Sequence, residues 1–296
     1  MSLKVSVCLT TYNRAAQLDR TLESLAAQER LPDELIVSDD CSTDGTREAV
    51  ARWKDRFPLL RYHRNARNLN MPGNLNAAVG LAQGEYIANL HDADTFHPTL
   101  LGKWEKALDS HPTAGFVFCG IRGWPNAGES EDGVILHDVA PLTTGRQFFE
   151  TRLLHRLSSI VWGTVMARRS AYASLLPFDA AFGFVSDVDM WMRMCLGHDV
   201  AYVREPLIIL DHSPSAERKL DSFNWRWLDN ARRMQVANIR RFFEGEPDRL
   251  RREMASHRRI ARREYARRLL GRLWHGDWTG LRRGIGLSRG FLWSVR

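Results

Sequence analysis

The sequence predicts an α/β protein: a mostly parallel central sheet with helices on both faces, followed by a helical, basic C-terminal region. Three observations lead there. Short apolar strand patterns alternate with helical ones from residue 5 onward, two of those strands run directly into carboxylates, and the composition turns to arginine-rich helix beyond Pro214.

Val5, Val7 and Leu9 alternate with Ser6 and Cys8, a strand period, and Leu18, Leu22 and Leu25 then recur at helical spacing over 14–28 behind Asn13 as a cap. Residues 34–38 read as a strand, 46–53 as a helix, 59–63 as a strand, 72–83 as a helix and 85–90 as a strand. Pro98 suits the first position of a helix that carries Leu101, Trp104 and Leu108 inward. Residues 115–121 form the next strand, and 122–145 are Gly-, Pro- and polar-rich, long enough for a binding loop or a surface excursion. The stretches 159–167 and 199–210 look strand-rich, around a helix from about Asp187 to Cys195 that stops at Gly197. A boundary near 215 divides the chain into residues 1–215 and 216–296.

The 296 residues carry 42 Lys and Arg against 35 Asp and Glu, a net charge of +7 that is unevenly spread. Residues 217–296 hold 21 basic and 9 acidic side chains, so an acidic body precedes a basic tail. No apolar run approaches the roughly 18–20 residues that span a bilayer, and no signal-peptide core is visible. Cys8, Cys41, Cys119 and Cys195 are too far apart for a CxxC zinc site or a dense disulfide framework. Isolated thiols and a cytoplasmic protein are the expectation.

Ligands of open parallel sheets bind beyond the carboxyl ends of the strands. The second strand ends in Ser38-Asp39-Asp40-Cys41-Ser42-Thr43-Asp44, and the fourth in His91-Asp92-Ala93-Asp94. Carboxylates this close repel unless a cation screens them, and Mg²⁺ or Mn²⁺ shared with substrate phosphates suits Asp92 and Asp94. Helix capping is an equal reading for Thr43 and Asp44.

Val5–Arg14 (VSVCLTTYNR), Glu34–Thr46 (ELIVSDDCSTDGT), Gly84–Pro98 (GEYIANLHDADTFHP) and Phe184–Met194 (FVSDVDMWMRM) occur in this order. Together they resemble the motifs of family 2 glycosyltransferases with the GT-A fold, over residues 3 to about 212. The resemblance implies that Thr10 and Tyr12 lie beside a nucleotide base and ribose. It implies that Asp40 accepts from a uracil N–H, with Asp39 supporting that turn. Asp92 and Asp94 resemble the DxD pair that holds the ribose and a metal-bound diphosphate, and Asp187 the catalytic base. His212 resembles a late histidine that ligates the metal in some members, although a lone His is more often structural. The implied enzyme is an inverting, metal-dependent transferase that uses a nucleotide-sugar, UDP-linked by preference. Its acceptor would be a glycan or lipid-linked saccharide in surface polysaccharide synthesis.

The chain departs from the pattern at three places. Thr95 follows Asp94, which leaves the register of the metal-binding acid open by one position; Ser186 stands where relatives often carry Glu; and Asn74 and Asn76 occupy a segment where a donor-binding Arg is common. Arg64 or Arg67 is a substitute phosphate contact, a solvated surface role being the commoner one. Trp124, Trp162 and Trp191 suit sugar stacking or, more ordinarily, packing. At the start of helix 187–195, the macrodipole is expected to keep Asp187 ionised.

In the tail, Leu250, Met254, Ala261, Tyr265, Leu269 and Leu273 form a helical stripe among arginines. It fits packing on the body, docking on an anionic membrane at its inner face, or non-specific phosphate binding, in that order. No zinc-finger or basic-zipper pattern points to specific nucleic acid recognition. The rival functions are a degenerate GT-A domain acting as a carbohydrate-binding or scaffolding protein and, lower, a sugar nucleotidyltransferase, whose Gly-rich Arg-containing first loop is missing from TTYNRAAQL. No GxGxxG or Walker A pattern supports a dehydrogenase or a P-loop enzyme.

Overall fold

The computed structural model describes residues 3–123, 133–157, 159–161, 163–210, 214–274, 276–282 and 284–285, with side chains from 225 onward in the first C-terminal helix. Trp124, Trp162 and His212 lie outside the described residues. In chain order the elements are β1 (Val5–Thr11), α1 (Ala15–Ala26), β2 (Glu34–Asp39), α2 (Thr46–Ala51), β3 (Leu60–Arg64), α3 (Asn70–Leu81), β4 (Tyr86–His91), β5 (Thr95–Phe96) and α4 (Leu100–Ser110). There follow β6 (Ala114–Arg122), β7 (Leu142–Thr143), α5 (Gly145–Phe148), β8 (Val165–Arg168), α6 (Arg169–Ala173), α7 (Ser186–Met194), β9 (Asp199–Ile209), α8 (Pro214–Phe242) and α9 (Pro247–Trp274).

The strands form one sheet in the order β3-β2-β1-β4-β8-β6-β9-β5, with β7 on β9. The first half, β3-β2-β1-β4, is parallel, as is β6 with β9. The expected strand-rich stretch 159–167 shrinks to β8, which runs antiparallel between β4 and β6. Strand alternation assigns the two faces. Val5, Val7, Leu9, Leu35, Val37, Ala88 and Leu90 point to one core, under Leu18, Leu22, Leu25, Leu101, Trp104 and Leu108 of α1 and α4. Cys8, Ile36, Ile87, Phe116 and Phe118 point to the other, under α3, α7 and α8. Trp191 is fully buried in that second core beside Phe116 and Phe178, a packing role.

Helix starts differ locally from expectation. Asn13 does not cap α1; it adopts φ 51°, and its Oδ1 accepts from the Thr43 N–H at 2.7 Å. The first helical N–H, that of Ala15, is instead satisfied across the cleft by Asp44 Oδ2 at 3.1 Å. Asp44 also accepts from Thr46 N–H, so it serves as a cap for two helix starts. Helix α3 begins at Asn70 rather than Pro72, and α4 at Leu100, two residues after Pro98. The four cysteines are unpaired, and three are buried.

The inner side of the C-terminal helices packs on the body. Ala231, Met234, Ile239, Phe242 and Phe243 of α8 and its C-terminal end join the core that holds Phe149 and Met190, while Ala261 and Tyr265 of α9 close on Trp225 and Leu228. Leu250 and Met254 also pack inward, but Leu273 is half exposed. Among the described residues no helix is long and apolar enough to cross a membrane.

One buried acid joins α8 to α7. Asp189, fully inaccessible, accepts from Arg193 Nε at 2.8 Å, Asn238 Nδ2 at 2.8 Å and Arg241 Nη1 at 2.9 Å. Removing one partner of a buried pair strands the other, a cost of about 3 kcal/mol or more. Asp189→Ala is therefore expected to lower unfolding free energy by about 3 kcal/mol in urea titrations, and Asp189→Asn by less, because it keeps the shape and an acceptor.

Candidate active site

The registers of the parallel strands set one row of residues at the mouth of the sheet. Thr10 pairs with Ser38 on β2 and with His91 on β4; one step further, Thr11 pairs with Asp39. Tyr12 then leaves the sheet and is 46% exposed, while Thr10 is half-buried, so both lie at the solvent-facing carboxyl end of β1.

On the β2 side the acids are held by the protein. Asp39 Oδ1 accepts from the Ser42 N–H at 2.9 Å and Oδ2 from the Tyr62 hydroxyl at 2.5 Å, with Arg64 Nε 3.7 Å from Oδ2. Asp40 Oδ1 accepts from Leu69 N–H at 2.7 Å and from Asn65 Nδ2 at 3.0 Å. Asn65 also donates to Asn74 Oδ1, which in turn accepts from the Ser38 hydroxyl. Asn74 is thus buried scaffolding. Asn76 exchanges two hydrogen bonds with the Phe178 backbone, fixing the segment that leads to α7. Arg64 donates to Ser42 O.

On the β4 side the compensation is thinner. Asp92 Oδ1 accepts from Arg14 Nη1 at 3.1 Å. Burial raises its carboxyl pKa despite Arg14, its strongest opposing charge. Asp94 is buried; its Oδ2 is 3.5 Å from His91 Nδ1, long for a hydrogen bond, and no donor reaches it within bonding distance among the described residues. The backbone of Asp94 is pinned through its carbonyl by the Thr21 hydroxyl at 2.7 Å. His91 is about half exposed, and although enclosure disfavours its charge, Asp94 first and then Asp187 and Asp92 raise its pKa above the ordinary value.

Asp187 approaches from the other side of the sheet, in the first turn of α7. A Cβ placed on Gly163 would lie 2.5 Å from His91 Nε2 and 3.0 Å from Asp187 Oδ2. A bare glycine is therefore what lets the imidazole and the carboxylate close on the same point. Asp187 Oδ1 accepts from the Val188 N–H at 2.7 Å. Burial nevertheless dominates and pushes its pKa up to about 6, so the backbone N–H groups of the helix start offset only part of the burial and the carboxyl is still largely ionised at neutral pH.

The cleft thus brings together Thr10, Tyr12, Asp92, Asp94 and Asp187, with Asp39 and Asp40 on its β2 wall. Three contributors were not singled out as site residues from the sequence. His91 was legible, since it shares a strand face with Asn89 and ends β4; Arg14 is the last residue of the first motif; Gly163 carries no sequence signal. Among the described residues no group of three His, Cys, Asp or Glu side chains could hold a metal ion unaided.

A row of polar groups at the carboxyl ends of parallel strands, facing a partly desolvated carboxylate across a glycine gap, marks an α/β protein that binds its ligand at the sheet mouth. The chain belongs to glycosyl transferase family 2, whose family model matches residues 6–176. It is 30% identical over 196 residues to the putative glycosyltransferase EpsE of Bacillus subtilis, covering 64% of this chain and 66% of that one. The chain spans about two thirds of EpsE's length and less of several other curated relatives. The fold is GT-A. It superposes on S. aureus TarS 1-349 in complex with UDP with a TM-score of 0.62 at 22% identity, over 80% of this chain and 66% of that chain. It also superposes on the mannosyltransferase PcManGT from Pyrobaculum calidifontis in complex with GDP-Man and Mn²⁺ with a TM-score of 0.62 at 18% identity, over 100% and 89%.

A carboxyl whose pKa is raised on folding favours the folded state below its unfolded pKa, and that contribution is lost as pH rises through the folded value. For Asp187 the window runs from about 4 to about 6, and the penalty above it is roughly 3 kcal/mol. Asp187→Asn is expected to be more stable than the wild type at pH 8 and to lose that advantage by pH 4, as read by urea unfolding at both pH values.

Proposed function

We propose that this chain is an inverting glycosyltransferase that moves a sugar from a nucleoside diphosphate donor, UDP-linked by preference, to a hydroxyl of a glycan or lipid-linked acceptor in surface polysaccharide synthesis. The observation that carries the reading is the convergence of His91 and Asp187 on Gly163, with Asp94 on the far side of the His91 ring, at the sheet mouth of a family 2 chain. The UDP complex of TarS and the GDP-Man and Mn²⁺ complex of PcManGT support a nucleotide donor and a divalent metal.

Each residue has a role that follows from its surroundings. Thr10 and Tyr12 border the base and ribose, and Asp40, oriented by Asn65 and Leu69 N–H, accepts from the uracil ring. Asp39 holds the turn that presents Asp40. Arg14 orients Asp92 toward the ribose. Asp94, with a buried oxygen that lacks a donor, fits a hard cation, and the donor diphosphate would complete the coordination. Bound there, Mn²⁺ or Mg²⁺ would neutralise the leaving diphosphate as a Lewis acid. His212 remains a further candidate ligand. Asp187 takes the proton of the acceptor hydroxyl as it attacks the face opposite the leaving group, which inverts the anomeric carbon. Its pKa near 6 suits that task, ionised at neutral pH yet basic enough to accept a proton.

In a thermal-shift panel of UDP, dTDP, GDP, CDP and ADP with Mn²⁺, Mg²⁺ or EDTA, UDP with metal is expected to stabilise most, by roughly 2.7 kcal/mol at a hundredfold excess over its dissociation constant. Asp94→Ala should abolish the metal dependence of that shift. Asp187→Asn should keep it and lose transfer by roughly 10²–10⁴-fold. Gly163→Ala should leave UDP binding in place and cut turnover, because the new methyl displaces His91 or Asp187. Retained turnover in Asp187→Asn refutes the base. Nucleotide binding with no donor hydrolysis or transfer in the wild type supports the carbohydrate-binding reading instead.

A further inference from the structure

The outer surface of α9 has features that neither packing nor the cleft uses. Arg252, Arg259, Arg263, Leu270 and Trp274 recur at steps of seven and four along one exposed stripe, with Arg258 and Arg262 on the stripe beside it. Arg252, Arg259, Arg262 and Arg263 make no ion pair among the described residues, and the acids of α9 are engaged elsewhere. Asp248 pairs with Arg251, Glu253 faces His155, and Glu264 holds Arg267 and Arg268. The cationic stripe therefore runs unneutralised for about three turns.

At the C-terminal end of α9 this surface turns apolar, and the segment just beyond the helix adds a further exposed indole, Trp278. Trp274 is 88% exposed, Leu270 65%, Trp278 63% and Leu273 49%. The opposite side of the helix is spent on the body, through Ala261 and Tyr265 against Trp225 and Leu228. Four large apolar side chains left in water at one end of an uncompensated arginine stripe form a recognition surface, not a core.

We propose that this surface docks the protein on an anionic lipid bilayer, with Leu270, Leu273, Trp274 and Trp278 entering the headgroup boundary and the arginines of α9 lying along the lipid phosphates. The charge complementarity is direct: a cluster of four or more unpaired arginines on one helix face matches a negative lipid surface. The pairing of indole rings with arginines favours the interface over a nucleic acid strand, because the apolar group lies beyond the basic stripe instead of being interleaved with it. The inference stands on this surface alone and does not depend on the assigned reaction.

The test is co-sedimentation of the full chain with vesicles of 30% phosphatidylglycerol in phosphatidylcholine and with pure phosphatidylcholine vesicles, at 0.05, 0.15 and 0.5 M NaCl. The expected result is at least tenfold stronger partition to the anionic vesicles at 0.15 M, weakening as salt rises. Arg259→Gln with Arg263→Gln should reduce partition roughly 25-fold, about fivefold for each arginine near the surface. Trp274→Ala with Trp278→Ala should reduce it at least tenfold at 0.5 M NaCl, where charge is screened. All four positions are exposed, so thermal midpoint and UDP binding should be unchanged and serve as controls for folding. Equal partition to both vesicle types, wild-type partition by either double variant, or preferential capture by a single-stranded RNA oligomer at equal phosphate concentration would overturn the proposal.

Discussion

The cleft depends on one constraint: β1 is hydrogen-bonded to a parallel partner on each side, and its register with both fixes where every polar group of the mouth stands. Thr10 lies level with Ser38 and His91, and Thr11 with Asp39. A slip of one residue would turn Val5, Val7 and Leu9 to the wrong core and send the strand-end acids away from the cleft. Burial of both sheet faces forbids that slip, since each face packs its own apolar set. The hydrophobic pattern that folds the chain is in this sense also what aligns its chemistry.

Around that frame the acids divide by how well they are compensated. Asp39, Asp44 and Asp189 have both oxygens engaged by named donors, and they act as fasteners. Among the described residues Asp94 and Asp187 do not. One keeps a buried oxygen without a donor, and the other is burdened by burial strongly enough to move its pKa to about 6. Poor compensation costs folding free energy, and the groups left in that state are the ones an incoming ligand and its counter-charge can satisfy.

Much of this was legible in the sequence because strand and helix periods are local. The alternation in β1, the run into β2 and β4 and the leucine spacing of α1 and α4 depend on neighbours a few residues away. The acids at strand ends were legible for the same reason, as motifs contiguous in the chain. What stayed hidden depends on distant partners. The cap of α1 comes from Asp44 on another loop, β8 is a strand only where β4 and β6 flank it, and Gly163 matters because His91 and Asp187 arrive beside it from far apart. The helix start at Asp187 is visible in the sequence, whereas the burial that raises its pKa is not.

The tie between Asp189 and α8 also sets an order of events at the ribosome. Strands β1 to β4 and the segment matched by the family are synthesised first, but Asn238 and Arg241 emerge some fifty residues after Asp189. Until they do, Asp189 on α7 lacks two of its three partners. The fastening of α7, and with it of Asp187, is therefore completed late in translation by residues outside the cleft, and a nascent chain that pauses before α8 has the β1–β4 wall of the cleft before the α7 wall is tied down.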